Sequence, residues 1–98
     1  MSDSFYKQSE MALASAIDGE VVALHVDRGQ CYGMREVAAT VWNLLAKPLN
    51  LEGICNRLVE IYDVEMDVCR AEVTTLVSEL QNEGLIEKVP PPPSLNAR

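Results

Sequence analysis

The 98-residue sequence predicts an α+β fold, in which a three-stranded antiparallel sheet is followed by three helices. Two observations predict it. Apolar residues alternate or run continuously on both sides of Asp18-Gly19, a dipeptide that favours a tight turn between antiparallel strands. Beyond residue 36 the apolar residues recur at the helical period, and Pro48 and Gly84 interrupt that pattern. A chain of this length has room for one domain with a single core.

The charge balance narrows the classes of partner. Eight basic and fifteen acidic residues give the chain a net charge of −7. Such a chain repels phosphate groups, which argues against nucleic acids and anionic membranes as partners. No apolar run reaches the length of a membrane span, and the first residues show no targeting pattern, so we expect a cytoplasmic protein.

Residues suited to catalysis or metal binding are few. Cys31, Cys55 and Cys69 are widely spaced without a CxxC motif, and His25 is the only histidine. We expect the cysteines to be small buried side chains in a reducing compartment. The sequence also lacks the motifs of nucleotide-binding loops and zinc peptidases. We therefore predict a protein without cofactor, metal or catalytic residues, and a Cys31/His25 nucleophile pair is the one catalytic alternative left open.

The Asp18-Gly19 turn sets the register of the first two strands. A two-residue type I′ turn places Ile17 opposite Glu20, and the same register pairs Leu13 with Leu24. Directly opposed residues share one face of a sheet. The residues expected on the core side are Met11, Leu13, Ile17, Val22, Leu24 and Val26.

A second turn leads into the third strand, over residues 30–34. A three-residue loop over residues 27–29, with Gly29 in the left-handed region, points Tyr32 and Met34 inward and Cys31 outward. A two-residue loop would reverse these directions. In a three-strand meander the third strand lies at an edge, so its free backbone groups are open to a further strand.

Three helices account for most of the remaining sequence. The first is predicted over residues 36–46, and the second begins after the N-cap Asn50. The third begins after the N-cap Asp67 and ends at Gly84. Residues 85–87 either form a short strand or pack against the domain without one. We expect residues 1–10 to be a flexible N-terminus, residues 11–88 to form the domain, and residues 89–98 to be a disordered proline-rich tail.

The last two helices, joined by a short turn beside a sheet, are typical of a winged helix-turn-helix. A helix that reads DNA needs basic or amide side chains on its exposed face. The third helix carries Arg70 against Glu72, Glu79 and Glu83, which is the wrong balance of charge for approaching phosphates. The sequence therefore argues against DNA binding.

Several segments, in this order and spacing, resemble the PqqD-like family. They are residues 18–24 (DGEVVAL), 27–34 (DRGQCYGM), 41–45 (VWNLL), 62–64 (YDV), 73–80 (VTTLVSEL) and 83–86 (EGLI). Each segment is short, and the specificity of the resemblance lies in their order. The resemblance extends from about residue 11 to residue 87.

This resemblance implies a recognition element for ribosomally synthesised and post-translationally modified peptides. Family members bind the leader of a precursor peptide as an added strand beside the third helix, and present it to a processing enzyme. The peptide-binding residues implied here are Gln30, Cys31, Tyr32, Gly33 and Met34 of the third strand, with Arg70, Thr74, Val77 and Gln81 of the third helix.

Within the family, residues 25–29 (HVDRG) look most like the small stand-alone proteins of split lasso-peptide systems. Those proteins work with a separate leader peptidase and a cyclase. Two alternatives stay open: a peptide chaperone for a radical-SAM enzyme in quinone cofactor biosynthesis, and a self-associating or regulatory winged-helix module. Leader binding needs only a monomer, which we expect, and a dimer is left open.

Overall fold

Two three-stranded antiparallel sheets and three helices make up residues 4–92, the part of the chain that this computed structural model describes. The elements are β1 (Phe5–Gln8), β2 (Ala12–Ile17), β3 (Glu20–His25), β4 (Cys31–Arg35), α1 (Val37–Leu44), β5 (Leu49–Asn50), α2 (Leu51–Ile61), α3 (Met66–Asn82) and β6 (Ile86–Val89). The predicted α+β class is confirmed, and the predicted three-stranded sheet is β2–β3–β4, which precedes the three helices. Strand β1 before that sheet and strand β5 between α1 and α2 were not predicted. The structure adds a second sheet, in the order β5-β1-β6.

The β2–β3 hairpin has the predicted register. Ile17 pairs with Glu20 and Leu13 with Leu24. Asp18 and Gly19 both have positive φ, 54° and 80°, as a type I′ turn requires. Local turn chemistry is therefore sufficient to set the pairing of these two strands.

The predicted facing of this hairpin is wrong. Leu13 and Ile17 are 60% and 63% exposed, whereas Val21 and Ala23 of the opposite face are buried. Both faces of β3 are apolar, so the strand pattern does not decide which one the helices cover. On β2 the inner face carries only alanines, which leaves room for Trp42 of α1 to lie close to the sheet.

The second turn is one residue longer than predicted. The His25 N–H donates to the Gln30 carbonyl at 3.2 Å, and Leu24 pairs with Cys31, so residues 26–29 form a four-residue loop. Gly29 has the predicted positive φ, at 72°. The extra residue shifts the pairing of β4 with β3 by one position, so that Tyr32 pairs with Ala23 and not with Leu24. Tyr32 and Met34 consequently face inward as predicted, although they join the opposite face of β3.

The N-terminal segment predicted to be flexible contains a strand, β1, which corrects the prediction at Phe5–Gln8. Residues 1–3 of that segment lie outside the described residues. Phe5 and Tyr6 are buried, and β1 pairs with β5 on one side and β6 on the other. The strand is short and its partners are distant in sequence, so local patterning did not reveal it. After α3 the structure has a strand, β6 (Ile86–Val89), which decides between the two alternatives for residues 85–87. The strand includes Val89, which corrects the start of the predicted tail, and residues 93–98 of that tail lie outside the described residues.

Helix boundaries follow the predicted caps in part. The Asn50 side chain accepts a hydrogen bond from the Gly53 N–H at 2.7 Å, as an N-cap should. The N-cap of α3 is Glu65, without a side-chain capping bond, and Asp67 lies within the first turn, which corrects the predicted cap. The helix ends as predicted, with Gly84 in the left-handed region at φ 74°.

The end of α3 is a Schellman motif. The Gly84 N–H donates to the Gln81 carbonyl and the Leu85 N–H to the Leu80 carbonyl, both at 2.9 Å. The chain then turns directly into β6. A single hydrophobic core joins the inner face of the β2–β3–β4 sheet, the three helices and the second sheet. The largest fully buried side chains of this core include Met34, Leu45, Ile54, Leu58, Leu80 and Leu85.

Gly84→Ala should destabilise the protein by more than Gly29→Ala does. Positive φ costs an L-residue about 1–2 kcal/mol at either position. At Gly84 a Cβ would in addition lie 2.8 Å from Cδ2 of His25 and 3.0 Å from Cζ of Arg28, whereas at Gly29 it meets nothing within 4 Å. Urea unfolding of both variants measures the difference. Equal losses of unfolding free energy would show that the contact at Gly84 has no energetic weight.

Candidate functional site

Strand β4 is an edge of its sheet, as predicted, and pairs only with β3 among the described residues. Backbone groups of an antiparallel strand alternate between its two sides. Because His25 bonds to Gln30, the backbone groups of Tyr32 and Met34 turn towards β3. Those of Cys31, Gly33 and Arg35 therefore point to the open side, where a further strand can bond to them.

Helix α3 is tied to β4 and to the loop before it by one hydrogen bond each. The Tyr32 hydroxyl donates to Oε1 of Glu79 at 2.9 Å, and Nη1 of Arg28 donates to the Asn82 carbonyl at 2.7 Å. Burial, followed by the hydrogen bond and negative charge of Glu79 and by the charge of Glu83, raises the pKa of Tyr32. The phenol accordingly stays a neutral donor to Glu79.

The Glu79 contact identifies the side of α3 that faces β4. Glu72, Leu76 and Glu83 share that side, because residues three or four apart follow one another along a helix face. Glu72 and Leu76 also line an apolar cavity of about 250 Å³. Its other lining residues are Val37, Ala38, Leu58, Tyr62, Val64, Cys69 and Val73.

The cavity lies close to the end of β4, since Val37 begins α1 directly after Arg35 and Glu36. We call the space bounded by the open side of β4, the Glu72–Leu76–Glu79 side of α3 and this cavity the β4–α3 groove. One wall is backbone, the other is acidic and the end is apolar. Cys69 lines the cavity, and both Cys69 and Cys55 are buried. Burial and a hydrogen bond with Cys69 raise the pKa of the Cys55 thiol to about 11.

The structure separates the two parts of the predicted peptide-binding set. Gln30, Cys31, Tyr32, Gly33 and Met34 lie along β4 or directly before it. The four helix residues lie about 140–180° around α3 from Glu79, at 100° per residue; they are Arg70, Thr74, Val77 and Gln81. Val77 is buried in the core there, and the Thr74 hydroxyl donates to the Arg70 carbonyl.

A peptide contact at these four helix residues stays a prediction. Sequence reasoning missed Glu72, Leu76 and Glu79, the helix residues that border β4. Helical periodicity defines stripes on α3 but does not say which stripe faces a given strand. The deciding signal is the bond between Tyr32 and Glu79, which are far apart in sequence.

The alternative Cys31/His25 pair is not formed. Cys31 is exposed on the outer face of the sheet, whereas the His25 ring lies on the other face, near Gly84. The Nδ1 atom of His25 accepts from the backbone N–H groups of Asp27 and Arg28, both at 3.2 Å, which shapes the second turn. Across residues 4–92 the structure contains no group of three or more His, Cys, Asp or Glu side chains that could hold a metal ion. None of the helices in that range is long and apolar enough to cross a membrane.

A family model described as coenzyme PQQ synthesis protein D (PqqD) matches residues 20–86. The chain belongs to the PqqD family. The match covers the span from β3 to the start of β6, and so includes both walls of the β4–α3 groove. No curated protein sequence matches this chain.

Two solved structures share the PqqD fold of this chain. TbiB1 in complex with the TbiA(beta) leader peptide is 28% identical, with a TM-score of 0.77, covering 87% of this chain and 99% of that one. A lasso peptide synthetase B1 complexed with the leader peptide is 18% identical, with a TM-score of 0.74, covering 84% and 96%. The second likeness concerns the fold alone.

Glu79→Gln should lower the pKa of Tyr32 without restoring its ordinary value, because burial of the ring persists. NMR titration of ring-labelled tyrosine resolves this shift. Glu72→Gln is the matched control, since Glu72 lies on the same side of α3 but does not raise the Tyr32 pKa. An unchanged Tyr32 pKa in Glu79→Gln would contradict the bond that ties β4 to α3.

Proposed function

We propose that this protein is a non-catalytic recognition element that binds the leader of a ribosomal precursor peptide and presents it to a processing enzyme. The observation that carries the proposal is the open side of β4 next to α3. Support comes from TbiB1, a relative of nearly the same length whose structure is a complex with a leader peptide.

In the proposed complex the leader adds to β4 as a fourth strand of the sheet. Cys31, Gly33 and Arg35 offer backbone donors and acceptors at every second residue, which sets the leader's register. Side chains of the added strand alternate between the two faces of the sheet. Every second leader residue therefore points towards α3, and an apolar one near the end of β4 reaches the cavity beside Leu76 and Tyr62.

The acidic wall of the groove favours particular leaders. Glu72, Glu79 and Glu83 line one side of α3, and the chain has a net charge of −7. Basic or hydrogen-bond-donating leader side chains that point towards α3 gain from this wall, and acidic ones are disfavoured. A short added strand with one or two apolar anchors typically binds with a Kd of about 1 µM to tens of nM, or roughly −8 to −10 kcal/mol.

The lasso-peptide branch fits best, with a separate leader peptidase and a cyclase as partners in the cytoplasm. TbiB1, at 28% identity over 87% of this chain, comes from a leader complex, and residues 25–29 resemble the small stand-alone proteins of split lasso-peptide systems. The family description favours the second candidate, a peptide chaperone in quinone cofactor biosynthesis. Binding of a lasso precursor leader in preference to a quinone-cofactor precursor would decide between them.

Gly33→Pro should weaken leader binding at least tenfold and leave the fold intact. The substitution removes an N–H that points to the open side of β4, a position where an edge strand tolerates proline. Fluorescence anisotropy with a labelled leader measures the affinity, and circular dichroism checks the fold.

Ala14→Pro is the matched control for Gly33→Pro. By the β2–β3 register, Ala14 directs its N–H to the open side of β2, the other edge of the same sheet. Its leader affinity should stay within twofold of wild type. If Ala14→Pro weakens leader binding and Gly33→Pro does not, the leader binds at the β2 edge of the sheet. That result would contradict the proposal of strand addition to β4.

Glu72→Lys should change leader affinity at least fivefold, whereas Thr74→Lys should leave it within twofold. Both residues are exposed and only two positions apart on α3, but Glu72 lines the β4–α3 groove and Thr74 lies on the far side of the helix. The same titration measures both variants. Weaker leader binding in Thr74→Lys alone would contradict a contact at Glu72. It would instead support a leader contact at the predicted helix face that contains Arg70, Thr74 and Gln81.

A further inference from the structure

The outer face of the β2–β3–β4 sheet has an apolar surface that no element of residues 4–92 covers. Leu13 and Ile17 are 60% and 63% exposed there. Val22 and Leu24 lie beside them in a shallow depression between β2 and β3. We call this surface, with Cys31 and Gly33 at its β4 border, the outer face.

Strand β2 lacks the usual protection of an edge strand. Its sequence, ALASAI, contains neither a charge nor a proline, and nearly all of it is exposed. Edge strands of stable monomers normally carry lysine, proline or a bulge that discourages pairing. A contiguous exposed apolar surface of this kind marks a protein contact.

Charge identifies the kind of partner. Asp18, Glu20 and Glu36 surround the end of the outer face, against a single Arg35. A second copy would bring this acidic end and another net charge of −7 to the contact, which opposes association. A surface with an apolar centre and lysine or arginine at its border is complementary to the outer face.

The outer face is continuous with the edge where the leader is proposed to bind. Leu24 of β3 lies beside Cys31 of β4, and Val22 lies beside Gly33. At these two positions β4 therefore adds only the small side chain of Cys31 to the outer face, because Gly33 has no side chain. A leader strand added beside β4 would place every second side chain on the outer face, next to Cys31 and Gly33. A protein that covers the outer face would therefore also contact the bound leader.

We propose that the outer face docks the enzyme that processes the bound precursor, through an apolar surface of that enzyme bordered by basic residues. The same contact lets the enzyme meet the leader's outward side chains, so it engages the loaded protein in preference to the empty one. This inference rests on the proposed leader-binding function.

The test uses the full chain, its precursor peptide and the purified peptidase that removes the leader. Leu13→Lys and Ile17→Lys place a positive charge on the outer face, and Ile61→Lys, at an apolar residue 53% exposed on α2, is the matched control. Leader affinity should stay within twofold of wild type in all three. The rate of leader removal at limiting protein concentration should fall at least tenfold in the two outer-face variants and remain at the wild-type rate in Ile61→Lys.

The outcomes separate the two proposals. Wild-type rates of leader removal in Leu13→Lys and Ile17→Lys, with leader binding intact, would overturn the docking inference and leave the proposed function standing. Failure of the wild-type protein to bind the leader would refute the proposed function itself. A dimer in sedimentation velocity that Leu13→Lys disperses, with leader removal unaffected, would assign the outer face to a second copy and contradict the inference.

Discussion

The open backbone of β4 is the constraint on which the proposed function depends. Cys31, Gly33 and Arg35 direct their N–H and C=O groups away from β3. The bonds of Tyr32 to Glu79 and of Arg28 to Asn82 hold α3 at this edge. A helix offers side chains to such an edge but has no free backbone groups along its length to pair with it. The arrangement therefore suits an extended peptide, and in the proposed complex the leader bonds to β4 and places side chains against α3.

The four-residue loop between β3 and β4 determines which residues serve this edge. It places Tyr32 and Met34 on the inner face, so that Tyr32 reaches α3 and Met34 enters the core. Cys31 and Gly33, which have small side chains or none, are left on the outer face. A loop shorter by one residue would pair Tyr32 with Leu24 on the outer face and remove the bond to Glu79. The length of the loop between β3 and β4 thus sets their pairing, and that pairing places Tyr32 where it can bond to Glu79 of α3.

Features that depend on neighbouring residues could be predicted from the sequence. The positive φ values at Asp18 and Gly19, the Asn50 cap and the glycine end of α3 all follow from short-range chemistry. The facing of the hairpin could not be predicted, because both faces of β3 are apolar and the position of α1 decides between them. β1 was missed because its pairing with β5 and β6 is non-local. The side of α3 that borders β4 could not be predicted from the helical period. It is identified by the hydrogen bond between Tyr32 and Glu79, which are far apart in sequence.

Amide hydrogen exchange along β4, measured residue by residue with and without leader peptide, tests the central claim most directly. In the free protein the amides of Tyr32 and Met34 should already be protected by β3, and those of Cys31, Gly33 and Arg35 should exchange rapidly. Leader binding should protect Cys31 and Gly33, with smaller changes at the open edge of β2. Unchanged exchange at Cys31 and Gly33 under saturating leader, or new protection along Ala12–Ile17 instead, would contradict strand addition at β4.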